Sequence, residues 1–410
     1  MRLSVSITVL LVVGLLAGCI QAEPPILGEP KPMALRAGKD VLGSRFSQGP
    51  DGTVLVSWMQ REEQGASLHF SKLGRDKWLA PKDVVTDENM FVNWADLPSV
   101  TPLNAEYWVA HWLSKSAPDT YAYDVLVAFS GDNGESWSDP VRPHTDGTPT
   151  EHGFVSIRDQ GGAAALLWLD GRKTGNDRIA GDPKASSMTL RAAAIAPDGS
   201  LSDEQLVDNI VCDCCQTDVA VSTDGPIAVY RNRTVEEIRD IYVTRFVDGA
   251  WEQGVAIRDD GWKIPGCPVN GPSIDADGDF VAIAWFSAAN DTPVVRVALS
   301  TNSGKTFKEP VEIATRRTSG HVGIAIIDQH SAAVSWVEKD NRGTNAINVR
   351  TVTTGGQLGP VQTVGRSNLL RIYPQLIRAA DKLLLAWTDQ IGDATEVVSV
   401  MVPIPGFYDR

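Results

Sequence analysis

No Pro/Ser/Gly-rich linker and no low-complexity stretch divides the body of this 410-residue sequence. A chain of this length could form two or three domains, and segments of that composition commonly separate domains. Their absence favours one large domain over residues 41–410, and a repeat fold is the simplest way to build it.

Basic charge is also scarce. The chain has 37 Lys and Arg against 51 Asp and Glu, which gives a formal net charge of −14. A strongly negative chain is repelled by nucleic acid and by anionic membrane surfaces. We therefore expect no nucleic-acid partner, and a monomer is the simplest assembly.

Long apolar runs are missing except at residues 5–16, a stretch too short to span a bilayer comfortably. The run follows Arg2 and ends in the motif LAGC at Cys19, which resembles a lipobox. The resemblance implies a signal peptide over residues 1–18, a lipidated Cys19, and membrane contact through the lipid only. Ile20 replaces the aspartate that retains such lipoproteins at the inner membrane, so we expect an outer-membrane anchor. The Pro-rich residues 19–40 then predict a tether and a strand able to close the fold.

What the sequence does contain is a repeat. An aromatic residue ends a β-rich apolar stretch at intervals of roughly 50 residues, and four short strands per repeat of that length are typical of a propeller blade. The repeated aromatic residues are Trp58, Trp112, Trp168, Tyr230, Trp285, Trp336 and Trp387. The sequence therefore predicts an all-β propeller of seven four-stranded antiparallel blades, closed by an N-terminal strand near residues 32–36. Six blades, with one repeat misassigned, are the alternative.

One turn motif occurs twice. Residues 130–137 read SGDNGESW and residues 300–307 read STNSGKTF, a weaker copy of the same pattern. Ser and Asp oxygens can accept hydrogen bonds from turn N–H groups, Gly permits positive φ, and the aromatic ring fills the space under the hairpin. The pattern thus predicts structural turns at Ser130, Asp132, Gly134, Trp137, Ser300, Asn302, Gly304 and Phe307.

These turns resemble the Asp-box of the sialidase superfamily, and the segments at residues 212–217 and 266–272 resemble bacterial lipoproteins of the sialidase-like, exo-α-sialidase type. The resemblance implies a glycoside hydrolase acting on an acidic glycan. It also implies that the Asp-box turns lie at the outer rim, away from catalysis. The sialidase signature Phe/Tyr-Arg-Ile-Pro is replaced here by residues 44–47, SRFS.

Functional residues are expected where the first strand of each blade begins, because these segments converge on the central axis. In sialidases, arginines hold the substrate carboxylate, an acid transfers a proton, and a glutamate activates a tyrosine nucleophile. By position, Asp96 is the candidate acid and Tyr373 the candidate nucleophile, with Glu151 or Glu237 as its activator. The arginine candidates are Arg45, Arg172, Arg231 and Arg371.

Four cysteines and two histidines fall on the same strand starts: Cys212, Cys214, Cys215, Cys267, His152 and His321. In an oxidising envelope, four cysteines most simply form two disulfides, and the adjacent Cys214 and Cys215 are unsuited to pairing with each other. The alternatives are a copper or zinc site that includes the histidines, or free redox-active thiols. Their spacing fits no zinc-ribbon pattern.

Two functions remain open from sequence. One is a glycosidase, which requires arginines and a Tyr/Glu pair at the floor of the funnel. The other is a non-enzymatic propeller that binds a metal, a glycan or a protein, with a Cys/His metal site or a disulfide-stapled centre. His144 and His152, on one motif-like loop, could serve a metal or a proton relay.

Overall fold

The computed structural model describes residues 23–174 and 186–406. Seven separate antiparallel sheets follow one another along the chain, and each is one blade of a propeller. The predicted seven-bladed all-β propeller is confirmed, and the six-bladed alternative is excluded. The one helical element in the described ranges is a short 3-10 turn at Ala289–Asp291.

The strands are numbered in chain order, beginning with β1 at Lys31–Pro32. Blade 1 comprises β2 Val41–Gln48, β3 Val54–Arg61, β4 Ala66–Lys72 and β5 Lys82–Asp87, and blade 2 comprises β6 Ser99–Pro102, β7 Trp108–Lys115 and β8 Tyr123–Ser130. Blade 3 comprises β9 His152–Gln160, β10 Ala163–Asp170, β11 Met188–Ile195 and β12 Gln205–Val211. Blade 4 comprises β13 Asp218–Ser222, β14 Gly225–Arg231, β15 Ile241–Val247, β16 Ala250–Trp251 and β17 Val255–Ala256. Blade 5 comprises β18 Ser273–Asp277, β19 Phe280–Ser287, β20 Val294–Ser300 and β21 Val311–Thr315. Blade 6 comprises β22 Thr318–Asp328, β23 Ser331–Lys339, β24 Asn345–Thr353 and β25 Gln362–Ser367. Blade 7 comprises β26 Gln375–Ala379, β27 Lys382–Ile391 and β28 Ala394–Pro403.

The ring closes through its N-terminal strand. β1 pairs with β28, so that Lys31 lies opposite Met401 and Pro32 opposite Val400. The last blade therefore takes its outer strand from the start of the chain, as the sequence predicted, although the strand lies at Lys31–Pro32 rather than at residues 32–36. This pairing covers the edge of β28, which would otherwise expose unpaired backbone groups.

Part of the predicted tether lies on the propeller surface. The amide of Gly28 donates to the Pro403 carbonyl at 2.8 Å, and the Thr351 hydroxyl donates to the Pro25 carbonyl at 2.8 Å. Residues 25–33 are thus held by blades 6 and 7. Cys19 and the predicted signal peptide lie outside the described residues, and no helix of the described ranges is long and apolar enough to cross a membrane.

The repeated aromatic residues explain the blade-to-blade packing. Each lies in the second half of the second strand of its blade, is at most 2% exposed, and belongs to a different one of seven apolar clusters. The cluster around Trp336, for example, joins side chains of blade 5 to side chains of blade 6. Burial of seven large aromatic side chains between sheets is what holds neighbouring blades together.

Both predicted turns follow the third strand of their blade. In the first, Asp132 accepts hydrogen bonds from the Ser130 hydroxyl at 2.7 Å and from the Ser136 amide at 2.9 Å. Gly134 has φ of +78°, and a Cβ there would lie 2.5 Å from the Phe70 ring. In the second, the Gly304 amide donates to the Ser300 hydroxyl at 3.0 Å. The polar side chains of both turns are therefore hydrogen-bonded within the turn itself, as expected for a structural role.

Candidate functional site

A central cavity of about 750 Å³ runs between the seven inner strands β2, β6, β9, β13, β18, β22 and β26. Charged side chains of several blades line it: Arg45, Asp96, Arg158, Asp218 and Asp275. The inner strands bring these groups together from sequence positions far apart. Its lining extends from the face where the inner strands begin, at Ala95, Gln216 and Tyr373, to the opposite face, at Pro50 and Ala380. We call the end at the first face the opening, or mouth; it is the predicted place for a site.

The segment before β6 crosses this opening. The Trp94 ring lies 5.9 Å from the His321 ring of blade 6, and the Arg371 guanidinium lies 5.5 Å from the Trp94 ring. The Gln216 side-chain amide donates to the Ala95 carbonyl at 2.8 Å. Residues 93–96 therefore bridge blades 2, 4, 6 and 7 across the mouth.

Tyr373 and His321 lie together beneath this segment, with their rings 5.5 Å apart. Burial lowers the pKa of His321 to about 4, so the imidazole is neutral at pH 7. Burial also raises the pKa of Tyr373. Its charged neighbours are Asp218 and Arg45, and neither glutamate chosen from sequence as its activator is among its neighbours.

A different tyrosine has the glutamate partner. The Tyr123 hydroxyl donates to the Glu151 carboxylate at 2.7 Å, and Phe91 stacks on the Tyr123 ring at 4.1 Å. Tyr123 starts β8, the third strand of blade 2, and is fully buried. Asp96 lies beside it, because a Cβ on Gly153 would come within 2.2 Å of the Asp96 carboxylate and 3.0 Å of the Tyr123 ring.

Two carboxyl groups of this cluster have pKa values suited to proton transfer near neutrality. Burial raises the pKa of Asp96 to about 7, with a further contribution from Glu151 and against a hydrogen bond from the Phe154 amide. Burial likewise raises the pKa of Glu151 to about 7. One Asp96 oxygen is buried and has no hydrogen-bond partner. Such an oxygen is free to hold a proton for a substrate.

The arginines chosen from sequence are held by four separate sets of partners. Arg45 donates to the Leu97 and Val155 carbonyls at 3.2 and 2.8 Å, inside the cavity. Arg231 is 2% exposed and donates to three backbone carbonyls at 2.6–2.9 Å. Arg371 is exposed at the mouth. Arg45 thus lines the cavity and Arg371 lies beside Trp94, whereas Arg231 joins blades 4 and 5.

Arg172 belongs to a buried charge cluster between blades 2 and 3. It binds Asp170 through two hydrogen bonds of 2.7 Å. The His152 imidazole lies 3.3 Å from Asp146 and 3.8 Å from Asp170, and the His144 ring stacks on it at 3.9 Å. His152 and His321 therefore lie in different clusters.

The positive and negative charges of this cluster balance when one histidine is protonated. Its carboxylates are Asp124, Asp146, Asp170 and Glu204, and its guanidinium groups are Arg142, Arg172 and Arg191. One protonated histidine makes the set neutral. Burial lowers the pKa of His152, but the facing carboxylates outweigh burial and raise it above its ordinary 6.5. The cluster is thus stabilised with His152 charged.

We expect His152 to stabilise the fold more at pH 6 than at pH 8. Folding raises the pKa of His152, so this group binds more protons in the folded state than in the unfolded state. Its contribution is complete below 6.5 and is lost as the pH passes through its folded value. Folding lowers the pKa of Cys212 to about 6 and that of His321 to about 4, and these two groups act in the opposite sense, so the test compares variant with wild type. In urea unfolding at a series of pH values, His152→Gln should lower the free energy of unfolding more at pH 6 than at pH 8, and an equal loss at both would contradict the assignment.

The cysteines are divided between two arrangements. Cys214 and Cys267 form a disulfide that joins the segment before β13 to the segment before β18. Cys212 and Cys215 are buried free thiols whose sulfurs lie 2.9 Å apart. One of the predicted disulfides is present. The remaining two thiols are half the ligand number of a structural zinc site, and within the described residues neither of them shares a group of possible metal ligands with a histidine.

Within the described ranges, three groups of side chains have donor atoms within 4.8 Å of one another and could hold a metal ion. They are Cys212, Cys214 and Cys215; Asp124, His144 and His152; and Asp146, His152 and Asp170. The first group loses Cys214 to the disulfide. The other two belong to the neutral cluster described above, in which Arg172 already neutralises Asp170.

Glu237 is tied to the thiols rather than to a tyrosine. It accepts from Arg233 at 2.6 Å and from Arg239 at 2.9 Å, and Arg239 donates to the Cys212 sulfur at 3.3 Å. Burial raises the pKa of a thiol, but the hydrogen bond from Cys215 and the charges of Arg239 and Arg231 lower the pKa of Cys212 to about 6.

Sequence reasoning missed Tyr123, Trp94 and Arg239. A usable signal existed for Tyr123. The first and third strands of an antiparallel blade run in the same direction, so the start of the third strand lies on the same face as the start of the first. Applying the strand-start rule to third strands would have included Tyr123. Trp94 and Arg239 lie in connecting segments whose course is not readable from periodicity.

Comparison with solved structures finds the same fold elsewhere. The chain is similar to a protein of unknown function from Dyadobacter fermentans, with 10% identity over 92% of this chain and 98% of that one, at a TM-score of 0.51. It also aligns with the α-L-arabinofuranosidase Arb93A from Fusarium graminearum (13% identity, 81% and 98% coverage, TM-score 0.48) and with the NanB sialidase from Streptococcus pneumoniae (9%, 87% and 84%, 0.45). Identities this low show the fold alone. No protein-family model and no curated protein sequence matches the chain.

Proposed function

We propose that the protein is a glycoside hydrolase that cleaves an acidic glycan by a mechanism of the exo-α-sialidase type. The observation that supports the proposal is the buried Tyr123–Glu151 hydrogen bond of 2.7 Å beside Asp96. A tyrosine paired with a glutamate, next to a carboxylic acid whose pKa is near 7, provides the nucleophile, base and acid that such a reaction needs.

The steps follow from these three groups. The Tyr123 oxygen attacks the anomeric carbon as its proton passes to Glu151, and Asp96 protonates the leaving glycosidic oxygen. A glycosyl–tyrosine intermediate and the released alcohol result. Water then attacks the anomeric carbon, giving one proton to Asp96 and restoring the Tyr123 hydroxyl with the proton held by Glu151. A neutral phenol suits an anionic substrate because it avoids repulsion between two negative charges.

Exposed positive charge at the mouth fits the same substrate. Arg371 is exposed and its guanidinium lies 5.5 Å from the Trp94 ring, where it can bind a sugar carboxylate in bidentate fashion. Arg45 lies deeper, in the cavity wall. A local positive site can attract an acidic sugar even though the whole chain is negative.

Access requires movement of the segment before β6. Phe91 covers the Tyr123 ring, and Trp94 covers the cavity mouth. Both residues lie in this one segment, so its displacement would uncover the tyrosine and the cavity together. Loops that exclude water during reaction commonly open and close in this way.

A panel of fluorogenic glycosides tests the proposal. We expect turnover of sialosides or uronides, none of the matching neutral glycosides, and loss of turnover in Tyr123→Phe. The matched control is Tyr230→Phe, because the Tyr230 hydroxyl donates to Asp208 at the same 2.7 Å but is not part of the Tyr123–Glu151–Asp96 cluster. Loss of turnover in Tyr373→Phe with Tyr123→Phe active would overturn the assignment, and absence of turnover for every acidic glycoside would overturn the proposal.

The second candidate is a propeller that binds a glycan, metal or protein without catalysis. The disulfide between Cys214 and Cys267 favours it, since it staples the mouth at two blades. Retention of an acidic glycan by the protein without turnover is its expected result. This second function includes binding of copper or zinc. Elemental analysis of the purified mature protein shows whether either metal is present.

For localisation, we propose a lipid-anchored protein of the outer membrane. The lipobox-like motif at Cys19 supports this. Globomycin, which blocks lipoprotein signal cleavage, should cause the unprocessed precursor to accumulate, and Cys19→Ser should release the protein from the membrane fraction.

A further inference from the structure

Within residues 23–174 and 186–406, two cysteines lie outside the disulfide. Cys212 and Cys215 are separated by two residues, their sulfurs are 2.9 Å apart, and they are 1% and 2% exposed. That separation is the Cys-x-x-Cys spacing of thiol–disulfide couples. The pair lies on the segment between β12 and β13, directly before Gln216, which reaches the cavity mouth.

The two thiols have different surroundings. The Arg239 guanidinium donates to the Cys212 sulfur at 3.3 Å and is itself fixed by Glu237 at 2.9 Å. Arg239 is buried, so its charge acts on the sulfur with little screening. Burial raises the pKa of Cys215, whereas the pKa of Cys212 is lowered to about 6. Cys212 is therefore the thiolate of the pair at neutral pH.

We propose that Cys212 and Cys215 form a reversible dithiol–disulfide couple, in which Arg239 stabilises Cys212 as the attacking thiolate and the oxidant is a small-molecule or protein disulfide. This redox site does not depend on the proposed glycosidase activity. It is distinct from the Cys214–Cys267 bond.

The exchange balances in two steps. The Cys212 thiolate attacks one sulfur of the oxidant disulfide, forms a mixed disulfide and releases the first thiol. Cys215 then loses its proton and attacks the Cys212 sulfur, forming the intramolecular disulfide and releasing the second thiol. Two protein thiols are oxidised and one external disulfide is reduced, with the two protons carried by the released thiols.

Reversibility follows from the cation. A guanidinium beside Cys212 stabilises the reduced, thiolate form, and stabilisation of the reduced form makes a disulfide easier to reduce. A structural disulfide without that charge resists the same reductant. The two cysteine pairs should therefore separate in one titration.

The test equilibrates the folded mature protein with mixtures of reduced and oxidised glutathione, quenches with acid, alkylates free thiols and measures intact mass. We expect two alkyl groups per chain to be gained across an intermediate glutathione ratio, at Cys212 and Cys215 by peptide mapping. Cys214 and Cys267 should stay unlabelled throughout. A pair that stays disulfide-bonded at every ratio, or stays reduced at every ratio, overturns the proposal.

Variants separate chemistry from structure. Cys215→Ser should accumulate the mixed disulfide of glutathione on Cys212, whereas Cys212→Ser should accumulate none. Arg239→Gln should slow alkylation of Cys212 at pH 7 by about 10-fold or more, since its thiolate fraction falls, and Arg239→Lys should recover part of the rate. Equal alkylation rates in wild type, Arg239→Gln and Arg239→Lys, each shown to be folded by circular dichroism, would contradict the role of Arg239.

Discussion

Asp96→Asn is expected to lower kcat for glycosides with poor leaving groups by about 10²–10⁴-fold, the usual contribution of a general acid. Asp96 is buried, its pKa is raised to about 7, and one of its oxygens has no hydrogen-bond partner. The asparagine keeps the hydrogen bond from the Phe154 amide but cannot deliver a proton. Substrates with an activated phenol leaving group should lose much less activity, because they depart without protonation.

The pH dependence adds a second readout. Wild-type activity should fall on the alkaline side of about 7 as Asp96 loses its proton, and this limb should be absent in Asp96→Asn. Because Glu151 and Asp96 interact, the apparent pKa of this limb belongs to the pair of carboxyl groups and not to Asp96 alone. Asp240→Asn is the matched control: Asp240 is another buried carboxylate bound by backbone amides, at 2.9 and 3.0 Å, outside the cavity. Equal losses in both variants, or equal losses for both substrate types, would contradict the role of Asp96 as the acid.

The fold was readable from sequence because its signal is local and repeated. Trp58, Trp168 and Trp285 each lie in the second half of an apolar strand, and the same packing between adjacent blades recurs at every repeat. Counting these aromatic residues gave the number of blades. The position of the closing strand was less certain, since Lys31–Pro32 is only two residues long and carries no alternating pattern.

The site was only partly readable because its contacts are not local. Sequence placed Asp96 and Glu151 at strand starts, where they lie. It could not show that Glu151 faces Tyr123 rather than Tyr373, because that depends on which blades adjoin and on which way each side chain turns. Nor could the sequence show that the Arg231 guanidinium donates its hydrogen bonds to backbone carbonyls of the next blade. Side-chain partners across a blade seam are set by the tertiary fold, so residue type and spacing identify candidates but not their pairing.

The buried charge cluster between blades 2 and 3 yields the largest expected effect on stability. Asp170→Asn should lower the free energy of unfolding by about 3 kcal/mol, because it breaks a buried ion pair of two hydrogen bonds and leaves Arg172 with only Glu204 at 2.9 Å and Asp146 at 3.4 Å. Asp170 is fully buried and also accepts from the Trp168 indole at 2.9 Å, so the side chain cannot turn toward water. Chemical denaturation at pH 7 measures the change.

An exposed ion pair gives the matched comparison. The Lys82–Glu135 pair is 2.6 Å long, as short as the bonds of Asp170, yet Glu135 is 69% exposed. Glu135→Gln should therefore cost at most about 1 kcal/mol, since water solvates the lysine that remains. Arg172→Gln combined with Asp170→Asn should cost less than the sum of the two single changes, because the double variant leaves neither charge unpaired. Additive losses, or equal losses at Asp170 and Glu135, would show that burial does not set the strength of the cluster. The expected difference follows from desolvation, because an unpaired charge destabilises the fold strongly only where water cannot reach it.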